Sequence, residues 1–340
     1  MSQAAKQGIK ILEFAGKDGA YKRRASTFRS AVSSKPGSQF TAEAGRYHVY
    51  ISLACPWAHR VLIYLQTKGL IKNFNPVDST VSKDSIIGLS VVHWHMDSKG
   101  WRFPSSDDKC DAATEEPLYG FKRISELYFK ADPNYEGRFT VPVFWDKKTQ
   151  TIVNNESSEI IRFLNAEFND LIEDPSQKAL NYLPNDLIPK IDELNELIYE
   201  NINNAVYKSG FASKQEVYET EVKNLFEHLD KVEAILKKNN SNGIKYLLNN
   251  ELTEADVRLF TTIIRFDPVY VQHFKCNIGM IRFDYPHLHK WVREIYWNEP
   301  LIKDTCNFDH IKFHYTKSHV AINPHGITPL GPVPNILPLK

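Results

Sequence analysis

The chain has 340 residues, 42% of them hydrophobic, and 42 Lys and Arg against 41 Asp and Glu leave a formal charge of +1. That length allows two domains, the near-neutral balance argues against nucleic acid as a partner, and no apolar run approaches the roughly 20 residues that span a bilayer. The four cysteines (Cys55, Cys110, Cys276 and Cys306) lack CxxC or metal-finger spacing, which argues against a disulfide framework and for a reducing compartment.

The first 40 residues are rich in Lys, Arg and Ser, as a mitochondrial presequence is. Glu13 and Asp18 interrupt that pattern and no amphipathic apolar face emerges, so a cytoplasmic location is expected. Residues 1–44 read as an N-terminal extension. "RYHVYISL" then alternates Tyr47, Val49, Ile51 and Leu53 against His48, Tyr50 and Ser52, which is a strand pattern. From Pro56, "WAHRVLIYLQTKGL" predicts a helix closed by Gly69. A polar loop covers about 71–85, and "GLSVVHWHM" predicts a second strand, apolar enough to be central. A further loop spans 103–118, followed by a short helix in "YGFKRISELYFKAD". "FTVPVFWD" and "TIVNN", separated by "KKTQ", predict a hairpin. "NNESSEIIRFLNAEF" starts a helix with Asn154 and Asn155 as caps and Ile160, Leu164 and Phe168 on one face.

The order β-α-β-α-β-β-α is that of a thioredoxin-like domain, placed at 45–170. After Pro184 the pattern becomes helical throughout. Ile188, Ile191, Leu194, Ile198 and Ile202 form one stripe; Tyr218, Val222, Leu225, Leu229, Val232 and Leu236 form another. Thr253 and Asp256 open a third helix with a capping box. An all-helical domain is expected at 184–318, and the five prolines of 319–340 predict an extended tail on the surface.

Cys55 precedes Pro56 where strand gives way to helix. A helix N-terminus presents unpaired N–H groups and the positive end of the dipole, which favour a thiolate. Proline suits the first helical position, so the Cys55 sulfur is expected to take the amide hydrogens of Trp57 and Ala58. The bland alternative is a buried structural thiol. Ala58 stands where a dithiol site would carry its second cysteine, so a mixed disulfide on Cys55 needs an external thiol. In such a sheet a proline before the third strand is often cis and bares the backbone of the residue before it, here Val141 before Pro142. An ordinary edge-strand proline is the alternative. Glu156 and Ser157 open a helix, where N–H groups and a hydroxyl hold a carboxylate or simply cap. A ligand with a thiol, a peptide backbone and a carboxylate satisfies all three elements, and glutathione is such a ligand.

Several segments carry a resemblance: "RYHVYISLACPWAHR", "SVVHWHMDSKGWRF", "RFTVPVFWDKKTQTIVNNESSEIIR", "NNAVYKSGFA", "LTEADVRLFTTIIRFDPVYVQHFKCN" and "NFDHIKFHYTKSHVAINPHGITPLGP". From about Ala20 to Pro332 the chain resembles the glutathionyl-hydroquinone reductases, the Xi class of glutathione transferases, close to the fungal omega-like group. The resemblance implies α/β plus all-α architecture, a glutathione transferase fold with an N-terminal thioredoxin-like domain, a C-terminal helical bundle and a homodimer. It implies Cys55 as nucleophile, Trp101, Arg138, Val141, Glu156 and Ser157 as glutathione-binding residues, and Tyr207, Tyr270 and Tyr315 around an aromatic substrate. Glutathione as co-substrate, a glutathionylated quinone or hydroquinone as substrate, and no metal, membrane or nucleic acid follow as expectations. The 71–85 loop looks longer than the family's link, and the stretch 104–118 varies in length across it.

Rival readings are an omega-type thioltransferase or dehydroascorbate reductase using Cys55 on disulfides, and a non-catalytic binding protein on the same fold. The three tyrosines argue against the first and an intact Cys55 against the second. His93 and His95 of "HWH" would face one side of a strand, as a metal pair or, more simply, buried polar groups. A Cys-His hydrolase would leave the Val-Pro pair unexplained and lacks an oxyanion-hole signature.

Overall fold

The computed structural model describes residues 15–340, save 17, 23, 24 and 109. Glu13 and the rest of residues 1–14, part of the presequence reading, lie outside the described residues. The described residues divide into two compact units: 25–181 with Asp304–His314, and Tyr182–Lys303 with Tyr315–Lys340 and the segment 15–22.

In the first unit, β1 (Tyr47–Ile51), α1 (Pro56–Thr67), β2 (Gly88–Val91), β3 (Met96–Asp97), β4 (Gly100–Trp101), α2 (Ile124–Ala131), β5 (Val143–Asp146), β6 (Thr151–Asn154), α3 (Ser157–Ala166) and α4 (Pro175–Ala179) follow in turn. The main sheet has the order β2-β1-β5-β6, with β1 parallel to β2 and antiparallel to β5. The strand expected to be central, β2, is therefore an edge. Its apolar character reflects covered faces, with Leu89, Ser90 and Val91 buried; at its end the Thr114 backbone N–H donates to Val91 O at 2.8 Å, and the Val91 N–H donates to Thr114 Oγ1 at 2.9 Å. The same run does not extend to Met96 as one strand; it leaves the sheet after Val91, and β3 pairs with β4 as a separate short ribbon.

Helix α1 is buried along its whole length and ends at Gly69, whose φ of +65° closes the C-terminus. Helix α3 buries Ile160 and Leu164 completely and Phe168 follows on the same face; burial of such a side chain stabilises by about 1.5–3 kcal/mol. Residues 28–30 lie along β6: Ser30 N–H donates to Val153 O at 3.0 Å and Asn155 N–H to Phe28 O at 3.1 Å. The loop of 71–85 closes on itself, with Lys72 N–H donating to Ser85 Oγ at 2.9 Å and Ser82 N–H to Lys72 O at 2.8 Å.

The second unit is helical, built from α5 (Ile188–Ile198), α6 (Ala205–Gly210), α7 (Gln215–Ser241), α8 (Glu254–Arg265), α9 (Val271–His273), α10 (Ile281–Asp284), α11 (Pro286–Asn298) and α12 (Pro300–Lys303). The last helix, α13 (Phe308–Ser318), gives its residues up to His314 to the first unit and the rest to the second. The stripe on α5 runs through Ile191, Asn195 and Ile198 rather than through Leu194 and Ile188, which are only half-buried. Asn195 holds that position because its Nδ2 donates to the buried Glu254 at 3.0 Å. On α7, Val222, Leu225, Leu229, Val232 and Leu236 are buried as the periodicity predicts. The capping box forms around a buried Asp256 carboxylate, which accepts from Thr253 N–H (3.0 Å) and Oγ1 (2.8 Å), Leu247 N–H (3.1 Å) and Trp291 Nε1 (3.0 Å).

The Asn-Pro-x-Gly-Ile run is a turn: Asn323 Nδ2 donates to Thr316 O at 2.7 Å and Ile327 O at 2.8 Å, and Gly326 has φ +62°. Beyond it the tail runs over the helices, its carbonyls at Asn335 and Leu337 accepting from Arg282 and Trp297.

Candidate functional site

Cys55 is the N-cap of α1, with Pro56 at the first helical position and extended backbone (φ −77°, ψ 119°). Its sulfur does not bond the helix amides as expected; the thiol instead donates to Val141 O at 3.6 Å. A protonated thiol is a donor and turns to a carbonyl, whereas the amides would suit the anion. One and a half turns along, the Arg60 guanidinium lies 4.6 Å from the Trp57 ring centroid and is 1% exposed, so a buried cation sits on the same helix.

The Val141–Pro142 peptide is cis, and Val141 is buried at the start of β5, its carbonyl facing the thiol. Glu156, not Asn154 or Asn155, caps α3: its carboxylate accepts from Ser158 N–H at 3.2 Å, Ser158 Oγ at 3.0 Å and Ser26 Oγ at 3.0 Å. Asn154 Oδ1 accepts the Glu156 N–H at 2.7 Å, and Asn155 bonds Phe28 and Tyr128 instead. Ser157 is buried and its hydroxyl has no hydrogen-bond partner among the described residues. An unsatisfied buried hydroxyl at a helix start fits a ligand carboxylate. Trp101, on β4, is buried and stacks on His314 at 4.6 Å and 26°, and the carbonyl of the half-buried Arg138 accepts from Tyr135 Oη at 3.1 Å.

In the second unit three tyrosines from different helices converge. Tyr207 lies on α6, Tyr270 ends a π-helical stretch (Phe266–Tyr270), and Tyr315 lies on α13. The Tyr315 hydroxyl is 2.6 Å from that of Tyr207 and 3.1 Å from that of Tyr270. Burial pushes the Tyr315 phenol well above its ordinary pKa, so it keeps its proton and remains a hydrogen-bond donor. Behind it His273 Nε2 and His319 Nδ1 are 3.1 Å apart, and burial lowers His273 to about 4.

His93 and His95 do not share a strand face. The His95 backbone N–H donates to His93 Nδ1 at 2.8 Å, so the two residues form a local hydrogen-bonded turn after β2. Among the described residues no group of three or more His, Cys, Asp or Glu could hold a metal ion, and no helix is long and apolar enough to cross a membrane. Sequence reasoning missed Ser26, His314 and the His273–His319 pair. Only the density of histidines around Tyr315 hinted at the last two, and no local signal marked Ser26.

Two family models match the chain: the glutathione S-transferase N-terminal domain over residues 54–167 and the C-terminal domain over 215–294. The chain belongs to the glutathione S-transferase family, a family of enzymes. Its relatives are Xi-class and omega-like members. "Glutathione S-transferase omega-like 2" from Saccharomyces cerevisiae is 49% identical, with 95% of this chain and 98% of that protein covered. "Glutathionyl-hydroquinone reductase YqjG" from Escherichia coli is 48% identical over 92% and 89%. A crystal structure of a Xi glutathione transferase from Saccharomyces cerevisiae in complex with glutathione superposes with TM-score 0.87 at 49% identity, covering 94% of this chain and 99% of that one.

Proposed function

We propose that the protein reduces S-glutathionyl-hydroquinones to hydroquinones at the expense of glutathione. The Cys55 thiolate attacks the glutathionyl sulfur, forming a Cys55–glutathione disulfide as the sulfur–ring bond breaks. The ring carbon takes a proton from a phenol of the Tyr207, Tyr270 and Tyr315 group and leaves as the hydroquinone. A second glutathione gives up its thiol proton, which restores the phenol, and its thiolate attacks the glutathione sulfur of the mixed disulfide, releasing oxidised glutathione and the Cys55 thiolate. Val141 would pair with the tripeptide backbone, Ser157 and the start of α3 would take a carboxylate, and Trp101, Arg138 and Glu156 would complete the glutathione site.

The observation that carries this reading is the convergence of three phenol hydroxyls; a reaction confined to disulfide exchange has no ring to protonate. The names of the Escherichia coli relative and of the glutathione complex support it. The test is turnover of a glutathionyl-hydroquinone with excess glutathione, beside hydroxyethyl disulfide and dehydroascorbate, using Cys55→Ser and Cys55→Ala. Free hydroquinone that appears with the native protein and vanishes in both variants supports the reading. Activity on disulfide or dehydroascorbate alone would make the protein an omega-type thioltransferase or dehydroascorbate reductase, and no activity a binding protein. Homodimerisation, checked by light scattering, and a cytoplasmic location, which suits the free cysteines, belong to the same proposal.

A further inference from the structure

The N-terminal segment brings a fourth tyrosine to the cluster. Residues 15–21 fold back on themselves: Ala15 bridges Tyr21, Gly16 N–H donates to Ala20 O at 2.9 Å and Gly19 N–H to Gly16 O at 2.9 Å. The Asp18 carboxylate accepts the Ala20 N–H at 3.2 Å and pairs with Lys22. The turn is seated on the start of α7, where Ser213 N–H donates to Gly19 O at 3.1 Å. Gly19 is required there twice over: its φ is +83°, and a Cβ would lie 2.7 Å from the Lys214 side chain.

This seating sets the Tyr21 ring 6.2 Å from that of Tyr207 at 31°, and 5.6 Å from that of Phe211 at 42°. Tyr207 and Phe211, one helical turn apart, are 6.0 Å from each other, so three tilted rings form one wall. Of the three tyrosines joined by their hydroxyls, Tyr270 and Tyr315 are buried and Tyr207 is only half-buried. Tyr207 is thus the member whose ring an incoming molecule can reach, and Tyr21 rests against it.

We propose that Tyr21 is a specificity-determining positioning residue: it holds the Tyr207 ring in place and selects for glutathione adducts that carry an aromatic ring. The proposal rests on the hydroquinone reading above. Tyr21 acts through Tyr207 and touches no reacting atom, so disulfide exchange at Cys55 should be indifferent to it.

The experiment is steady-state kinetics of the native protein, Tyr21→Phe, Tyr21→Leu and Tyr21→Ala, each on a glutathionyl-hydroquinone and on hydroxyethyl disulfide with glutathione. Losing one aromatic contact predicts about a three- to tenfold rise in KM for the ring-bearing adduct in the Ala and Leu variants. Disulfide turnover should stay within about twofold, and Tyr21→Phe should keep native values for both. Thermal melting of each variant accompanies the kinetics, and the Leu variant keeps apolar volume should the Ala variant fold poorly. Equal losses on both substrates would make Tyr21 a structural residue and overturn the proposal, as would no loss on either. A native protein that turns over the disulfide but not the adduct would overturn the hydroquinone reading, and this proposal with it.

Discussion

The phenolic oxygens of Tyr207 and Tyr315, 108 residues apart in sequence, lie 2.6 Å from each other, with the Tyr270 hydroxyl 3.1 Å from the latter. Three hydroxyls in a row polarise one another, and removing any one changes the others.

Their contributions should therefore not multiply. Tyr207→Phe, Tyr270→Phe and Tyr315→Phe should each lower turnover of a glutathionyl-hydroquinone by on the order of 100-fold. A Tyr207→Phe, Tyr315→Phe double variant should lose little more than the worse single one. Steady-state kinetics on the four variants measures this. A double loss equal to the product of the singles would mean that the hydroxyls act independently.

Ser157 offers a buried hydroxyl with no hydrogen-bond partner among the described residues. A hydrogen bond from it to a charged ligand group is worth roughly 1.5 kcal/mol or somewhat more. Ser157→Ala should raise the glutathione KM by about tenfold while leaving the melting temperature near native, because no internal bond is lost. Titration of glutathione at saturating second substrate, beside a melting curve, separates the two effects. An unchanged KM would remove Ser157 from the glutathione site.

Asp256 satisfies the backbone of Thr253 and Leu247 and the Trp291 indole from a buried position. Asp256→Ala removes the cap and strands buried donors at about 1–3 kcal/mol each, so a loss of roughly 3–5 kcal/mol is expected. Urea unfolding followed by circular dichroism checks it. A loss below about 1 kcal/mol would show that water replaces the carboxylate.

Acid should unfold the protein through its buried neutral histidines. Burial lowers His48 to about 3, His93 to about 4 and His273 to about 4, against an ordinary 6.5. With folded values depressed, the unfolded chain takes up protons first as pH falls below 6.5, so stability present at pH 7 is lost on the way down. The expected loss is on the order of 2 kcal/mol per histidine between pH 6.5 and pH 5. His48 bonds Ser90 Oγ at 2.8 Å, and His48→Gln, which retains a polar partner, should flatten the slope by about one proton. Urea unfolding at a series of pH values reads that slope; an unchanged one would mean that His48 does not titrate on unfolding.

How much of this was legible beforehand varies by element. The strand from Tyr47, the Cys-Pro joint, the hairpin around "KKTQ" and the α7 stripe from Val222 all depend on residues near one another in the chain, and each is present, though β1 is buried on both faces and Tyr218 only in part. The expectation of a central β2 failed because an apolar run records that the faces of a strand are covered, not whether it is flanked on both edges. The α5 face was shifted for a similar reason: Asn195 is buried because Glu254, on another helix, answers it.

The candidate site divides in the same way. Local rules place Cys55 at a helix start and Ser157 at another, since capping and proline preference act within one turn. They say nothing of the Cys55 thiol turning to Val141, of Ser26 reaching Glu156, or of Tyr21 lying on Tyr207. These depend on where the rest of the fold brings Val141, the 26–30 segment and the turn before Tyr21. The sequence alone determined which chemistry this chain can carry, because side-chain type and helix ends are local properties. Only the tertiary structure decided which of those groups meet, because contacts between residues 100 or more positions apart form only when packing and backbone pairing bring distant segments together.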